Sequence, residues 1–304
     1  MTLRIRAAGY QGERSVHTRA MRVLLHGLQE RTGGSVAAEF EPNVAARSRK
    51  AADLLGMVEH GELDLCYFSS SYLAARVPAL VALDVPFLFE HRNDTRARLT
   101  GALGALIRRD VAAHTGYEVL ALWDNGLRHI SNARRQIRTP EDCAGLRIRT
   151  LPSEGYHATF RALGMTPVTI DVADMMRAIE AGEVDAQENP LTNVQLFGIQ
   201  KHHPFVTLTG HFHGIALVLC NAAAWAGWPA EFRAALSEAL EEATQAQWRF
   251  SVEDDVSCRA ALEGEGVRIA DLDPGARAAF RSAVSRVAGR LRSALPADVA
   301  AQLD

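Results

Sequence analysis

Two arginines stand two residues apart in the segment Gly145-Leu146-Arg147-Ile148-Arg149-Thr150. On a β-strand, residues i and i+2 share one face. Arg147 and Arg149 therefore project to the same side, with Arg149 nearer the carboxyl end of the strand. A guanidinium fork grips a carboxylate through two parallel, charge-assisted hydrogen bonds. A third arginine, Arg128, sits in the turn-and-strand run Asp124-Asn125-Gly126-Leu127-Arg128-His129-Ile130. A lone arginine is ordinarily a solvated surface residue, so the case depends on what surrounds these three. Ser69, Ser70 and Ser71 follow the apolar run Leu65-Cys66-Tyr67-Phe68; hydroxyls at a strand-to-helix joint either cap the helix or donate to a ligand. Asn189, in Gln187-Glu188-Asn189-Pro190, both donates and accepts, and it serves equally well as a turn residue. Tyr10, Tyr67, Phe68 and Phe212 are candidate aromatic walls, each as readily accounted for by core packing.

Catalytic constellations are absent. The chain has no G-x-S-x-G, no G-x-G-x-x-G after a strand, no P-loop and no H-E-x-x-H. His211 and His213 have strand spacing that points both imidazoles to one face. Without a third ligand nearby they define no metal site, and a metal-dependent enzyme using them is the weakest alternative. No cofactor and no metal are expected.

The elements that must position these residues read as an α/β alternation. Leu3 to Ala8 alternates like a strand, Val16 to Thr32 is an amphipathic helix stopped by Gly33-Gly34, and Ser35 to Phe40 is a second strand. An internal echo is the most informative pattern: the stretch from Ala52 to Leu65 and the stretch from Ala173 to Ala186 match at six of fourteen positions, 121 residues apart. Each reads as helix, glycine cap, strand, which predicts two lobes of related design. In open α/β sheets, ligands sit beyond the carboxyl ends of strands, where the serines, Asn189 and the arginines fall. From Ala230 to Glu263 there is neither Gly nor Pro, so one helix about 50 Å long is expected. It is long enough to tie both lobes together. The expected division is 1–124 with 213–250 for one lobe, and 125–212 with 251–304 for the other.

Composition narrows the function further. The 304 residues carry a formal net charge of −3. A nucleic-acid binder would show a basic excess, so an anion must be recognised by a few placed arginines. Cys66, Cys143, Cys220 and Cys258 are far apart with no C-x-x-C pair, which argues against zinc. Cys66 and Cys220 read as small buried hydrophobes. No run of eighteen apolar residues marks a membrane span. The chain opens with a strand-like segment rather than a signal peptide, which leaves either a cytoplasmic protein or a leader upstream of this sequence.

Four stretches carry a resemblance to a known family. They are Gly126-Leu127-Arg128-His129-Ile130-Ser131-Asn132, the run from Arg138 to Arg149, Ala162-Leu163-Gly164-Met165-Thr166-Pro167-Val168, and the run from Gly182 to Pro190. Together with Leu80 to Phe89 and Thr207 to His211 they closely resemble the solute-binding proteins of tripartite ATP-independent periplasmic (TRAP) transporters. The resemblance covers nearly the whole chain, in the family's order. It implies a two-lobed periplasmic-binding-protein-like α/β fold (type II), with mixed sheets flanked by helices, strand crossovers between the lobes and a long lobe-spanning helix. It implies that Arg149 is the principal arginine for a ligand carboxylate, with Arg128 as the secondary arginine and Asn189 as a ligand contact. Tyr10, Asn43, Ser69, Ser70, Asp171 and Phe212 are the further expected contacts. It also implies a small carboxylate-containing solute, a monomeric receptor in the periplasm, and delivery to separate TRAP membrane permease subunits. A ligand-sensing partner for a membrane regulator would use the same cleft. The sequence departs from the family in two places. Asp171 to Met176 stands where the family often carries Pro-Phe-Ser-Glu-Leu-Tyr, and Asn43 to Arg47 replaces a more glycine-rich loop.

Overall fold

The computed structural model describes residues 3–303. In chain order it builds β1 (Leu3–Ala8), α1 (Val16–Arg31), β2 (Val36–Glu41), α2 (Asp53–Glu59), β3 (Leu65–Ser69), α3 (Arg92–Thr100), α4 (Ala102–His114), β4 (Tyr117–Asn132) and β5 (Arg147–Thr150). There follow α5 (Glu154–Ala162), β6 (Thr166–Thr169), α6 (Val172–Glu180), β7 (Ala186–Asn189), α7 (Leu191–Leu196), β8 (Phe205–Asn221) and α8 (Ala222–Gly227). The chain ends with α9 (Ala230–Gly264), β9 (Arg268–Asp271), α10 (Pro274–Ser293) and α11 (Ala297–Ala300). The described strands form one mixed sheet in the order β2-β1-β3-β8-β4-β7-β5-β6, with β9 pairing β8. The first strand, first helix and second strand lie within a residue of their sequence expectations, because alternation and the Gly33-Gly34 stop are strong local signals.

The internal echo is a structural duplication. α2 and α6 each end in a glycine of positive φ, Gly61 at +77° and Gly182 at +64°, where an L side chain would be strained. Each helix then feeds a strand, β3 or β7, that pairs parallel with an earlier strand, β1 or β5. The joints are pinned alike. The Arg6 amide donates to Asp64 at 2.7 Å and its Nη2 to the Gly61 carbonyl at 2.9 Å. The Arg147 amide donates to Asp185 at 3.1 Å and its Nη2 to the Gly182 carbonyl at 2.7 Å. Arg147, which shares a strand face with Arg149, is therefore a joint-pinning residue.

Hydrophobic side chains segregate into separate cores. The first gathers Ile5, Leu24, Phe68, Ile107 and Trp123 with Ile215 to Cys220 of β8 and Phe232 to Trp248 of α9. Leu295, Val299 and Leu303 at the end of the chain return to it. A second gathers Ile130, Ile148, Phe160, Phe212 and Phe280, and a third Met175, Val194, Val206, Cys258 and Leu262. Among fully buried side chains, only β4, β8 and α9 contribute to the first core and also to one of the others, so two antiparallel strands and one long helix join the described cores, with the partly buried Val172 and Tyr72 each touching two of them. α9 begins after Pro229 as expected; the proline stands at the N-cap, where it has no N–H to leave unpaired. Where β4 crosses, its register with β8 shifts between Asp124 and Gly126. Gly126 has φ +90°, and a Cβ there would meet the Pro190 ring at 2.9 Å. No other residue type fits both demands.

The buried carboxyl of Asp84 ties the first core to the second. It accepts from Ser71 Oγ at 2.7 Å and from Ser153 Oγ just before α5. Burial pushes it up from its ordinary 3.8 to about 6, against the pull of both serine hydroxyls. A carboxyl that holds its proton longer when folded favours the fold below its unfolded pKa, and loses that contribution as pH rises through the folded value. Asp84→Asn, neutral throughout, should lack this loss. Urea titrations should show the variant gaining on the parent between about pH 4 and about pH 6.5 and keeping a constant margin above that. A margin that does not change with pH would mean that Asp84 ionises normally.

Candidate functional site

The carboxyl ends of β1, β3, β5 and β7 converge on one small cavity of about 20 Å³ at the seam between the cores. This is where an α/β sheet places ligands, although the space holds only about one water, far below the roughly 300–1,000 Å³ of a formed ligand site. Tyr10 and Gln11 follow β1, Ser69 and Tyr72 follow β3, and Leu151 follows β5. Asn189 ends β7, with Asn193 and Phe197 from α7 and its end, Val172 at the start of α6, and Asn125, Arg128 and Arg149 from β4 and β5. Larger hollows occur elsewhere, such as the groove of about 690 Å³ beside Arg31 and Phe232. None of those described is lined by a buried cationic nitrogen without a partner.

Arg149 is 1% exposed. Its Nε donates to the Ile170 carbonyl at 2.9 Å, which fixes the plane of the guanidinium. Nη2 is buried without a partner, and no acidic side chain among the described residues pairs with it. A buried cation with no counter-charge is costly, so the terminal fork is built for an anion that the chain itself does not supply.

Arg128 is placed beside Arg149 but in a different electrical state. Its Nε and Nη2 both donate to the Glu188 carboxylate, and Nη2 also reaches the Glu188 carbonyl at 2.9 Å and Asn189 Oδ1 at 3.3 Å. Burial pushes the Glu188 carboxyl up, but Arg128 and then His211 overcome it and hold it below its usual value. Arg128 is thus largely neutralised. Its role is to orient Asn189, whose Nδ2 donates to Gln187 at 2.6 Å and whose Oδ1 accepts from Asn193 at 3.1 Å. Asn193 in turn accepts from Gln11 Nε2 at 3.3 Å, so a chain of amides crosses the seam.

Of the residues expected from sequence, Arg149, Arg128, Asn189, Ser69 and Tyr10 meet at the cavity. Four do not line it. Ser70 begins a one-turn 3-10 helix and is buried beside the cavity. Asn43 caps its own turn by accepting from Ala45 N at 3.1 Å, and its backbone bridges to Tyr10. Asp171 spends its carboxylate on three backbone amides. Phe212 stacks on Tyr156 with ring centroids 4.0 Å apart inside the second core; the residue type suggested a wall, but strand alternation turned it inward. His211 and His213 are committed to different carboxylates, Glu188 at 3.7 Å and Asp124 at 2.7 Å. No cluster of three or more metal-ligating side chains occurs among the described residues.

Gln11, Tyr72, Asn125, Asn193, Leu151, Val172 and Phe197 were not anticipated. The usable signal was adjacency: Gln11, Leu151 and Tyr72 each lie within four residues of a predicted strand end, and Asn193 is one helical turn beyond Asn189. Tyr10, Ser69 and Tyr72 hydroxyls and the Asn125 Nδ2 make no hydrogen bond among the described residues, although the Asn125 Oδ1 meets His17 at 3.0 Å. Burial raises the Tyr10 and Tyr72 phenols, so both stay protonated and able to donate. Truncating Glu188 to alanine would strand Arg128 as a second unpaired buried cation. That should cost about 3–5 kcal/mol of folding stability, measurable by denaturant titration.

Comparison with known proteins agrees with this geometry. The sequence profile of the bacterial extracellular solute-binding proteins, family 7 (DctP), matches residues 8–293. The 2,3-diketo-L-gulonate-binding periplasmic protein YiaO of Escherichia coli (strain K12) is 33% identical over 84% of this chain and 77% of its own length. Among solved structures, the sugar acid binding protein DctPAm of Advenella mimigardefordensis in complex with galactonate superposes with a TM-score of 0.94 at 21% identity, covering 99% of this chain and 96% of that one. A TRAP periplasmic solute-binding protein of Sulfurospirillum deleyianum with bound succinate gives 0.92 at 23% identity, covering 99% and 98%. These likenesses bear out the α/β architecture expected from the sequence, and with the profile match they show that the chain belongs to the DctP family of bacterial extracellular solute-binding proteins.

Proposed function

We propose that this protein is a receptor that closes two lobes around a small organic acid bearing one carboxylate and delivers it to a TRAP-type membrane permease. The lobes are 1–124 with 213–250 and the C-terminal residues 295–303 on one side, and 125–212 with 251–294 on the other. The partition of the cores supports this division, and it moves the end of the chain to the first lobe. The receptor acts in the periplasm, as members of its family do, and as a monomer. No helix among the described residues is long and apolar enough to cross a membrane, which fits a permease made of separate chains. Several relatives are named for an acid that they bind, among them 2,3-diketo-L-gulonate and C4-dicarboxylates.

One observation carries the reading: the terminal fork of Arg149 lines the seam cavity, buried and without an anionic partner in the chain. It supplies a single unspent positive charge, since Glu188 already holds Arg128. A ligand with one carboxylate balances that charge, whereas a second carboxylate would be desolvated among amides and Phe197 without a counter-ion. The unpartnered hydroxyls of Tyr10, Ser69 and Tyr72 and the Asn125 amide favour hydroxyl or carbonyl groups on the rest of the ligand. Contacts from both lobes stabilise the closed form over the open one.

A thermal-shift series of hydroxy and keto monocarboxylates against matched dicarboxylates should raise the melting temperature with the monocarboxylates only. At a hundredfold excess over Kd the gain is about 2.7 kcal/mol. Calorimetry on Arg149→Ala should then show a loss of about 2–5 kcal/mol of binding free energy. Arg149→Lys should also bind poorly, because a point charge cannot replace a fork. Affinity unchanged in both variants would remove the carboxylate from Arg149.

A further inference from the structure

Asp171 sits in the loop that precedes α6, outside the cavity lining, yet its carboxylate is fully engaged. Oδ1 accepts from Ala173 N at 2.9 Å and from Ala51 N at 3.1 Å, and Oδ2 accepts from Ala52 N at 3.2 Å. The first of these is an ordinary N-cap of its own helix. The other two reach α2, about 120 residues earlier in the chain. They hold the turn that leads into α2, whose N-cap Ala52 makes no side-chain cap; the first amides of the helix itself, Asp53 to Leu55, donate to the carbonyls of Lys50, Ala51 and Ala52, which leaves the Ala51 and Ala52 amides free for Asp171. One carboxylate therefore caps α6, packed on the third core, and pins the turn into α2 on the first-core side. In the internal echo, the position equivalent to Asp171 in the first unit is Lys50, so only one of the two units carries the bridge.

The residues on either side of Asp171 are joined to the binding site. The Ile170 carbonyl is the acceptor that orients Arg149 Nε. Val172 lines the cavity and packs against both the first and the third core. This loop follows β6, the outermost strand on its side of the sheet, and so lies away from the crossing strands β4 and β8. A contact there acts at the end of a lever and resists opening more than one at the crossing point.

We propose that Asp171 is a clasp and a positioning residue. Its carboxylate fastens the start of α2 to the loop that aims Arg149, so that lobe closure and the orientation of the guanidinium form in one step. This inference rests on the proposed function above. It assigns Asp171 to ligand retention, with no contact to the ligand itself.

Asp171→Ser separates the two roles of the side chain. A serine at the N-cap still caps α6, but it is one atom too short to hold α2. Asp171→Asn keeps Oδ1 and sets Nδ2 against the Ala52 N–H, so half of the clasp remains. With an acid found in the thermal-shift series, stopped-flow binding should show dissociation from Asp171→Ser about tenfold faster and association nearly unchanged, because the clasp forms after encounter. Asp171→Asn should fall between Asp171→Ser and the parent. Nitroxide labels on added cysteines at the exposed positions Glu62 and Ala181 should report a longer inter-lobe distance in ligand-free Asp171→Ser than in the parent. The clasp is overturned if Asp171→Ser leaves both the dissociation rate and the label distances as in the parent protein. Should no acid bind the parent, the proposed function fails, and the label distances alone decide the clasp.

Discussion

Much of this structure is arranged around the cost of holding one guanidinium out of water without a counter-charge. An unpaired buried cation is tolerated only where the surrounding fold over-determines its position. Here the Ile170 carbonyl fixes its plane, β5 fixes its height, and the Arg128–Glu188 pair occupies the neighbouring volume. That pair matters as much as the free fork. Two unspent arginines side by side would repel each other and would accept any polyanion, whereas one neutralised arginine leaves a site of net single charge. In the proposed reading, Glu188 therefore shapes selectivity as much as Arg149 does.

Much of this was written in the sequence, because it was local. Alternation gave β1, glycine stops gave the ends of α1, α2 and α6, and a run free of Gly and Pro gave α9. The strand-end position of Arg149 was legible for the same reason, since a period of two assigns its face from a few residues. The states of the side chains were not legible. Arg128 and Arg149 look alike in sequence, and only the pairing of β4 with β7, which sets His129 opposite Asn189, shows that Glu188 reaches Arg128 and leaves Arg149 free. Phe212 was misplaced because an aromatic near polar strand residues fits a wall and a core equally until its stacking on Tyr156 is known. His203, whose type and neighbours in sequence say nothing of burial, is 1% exposed and meets Ser131. Non-local partners decide each of these cases.

The duplication explains how the site came to be divided between the halves. β2-β1-β3 and β6-β5-β7 are the same motif approached from opposite edges of one sheet, and the arginine–aspartate pins at Asp64 and Asp185 repeat almost bond for bond. Two copies of such a unit facing each other bring the carboxyl ends of four strands to one seam. The copies then differ where ligand chemistry requires it. Where the second copy carries Arg149 two residues beyond its pin, the first carries Ala8 two residues beyond Arg6. The first copy supplies Tyr10, Ser69 and Tyr72 instead, neutral groups that suit the uncharged part of an acid.

The contacts that cross the seam are of three kinds, and their placement is informative. At the crossing strands, Arg92 holds the buried Asp124 on its own side and reaches across to Asp255 at 3.2 Å. Near the cavity, the Gln11–Asn193 amide bond and the Asp84–Ser153 contact use neutral or weakly acidic partners. At the outer edge, Asp171 meets backbone amides alone. Backbone donors cannot rotate away or change charge, so that contact is made or broken as a unit with the helix it caps and the turn it pins. A fold that must open and reclose benefits from this gradient: ion pairs at the pivot, exchangeable hydrogen bonds around the ligand, and at the rim a contact whose geometry admits only the closed arrangement.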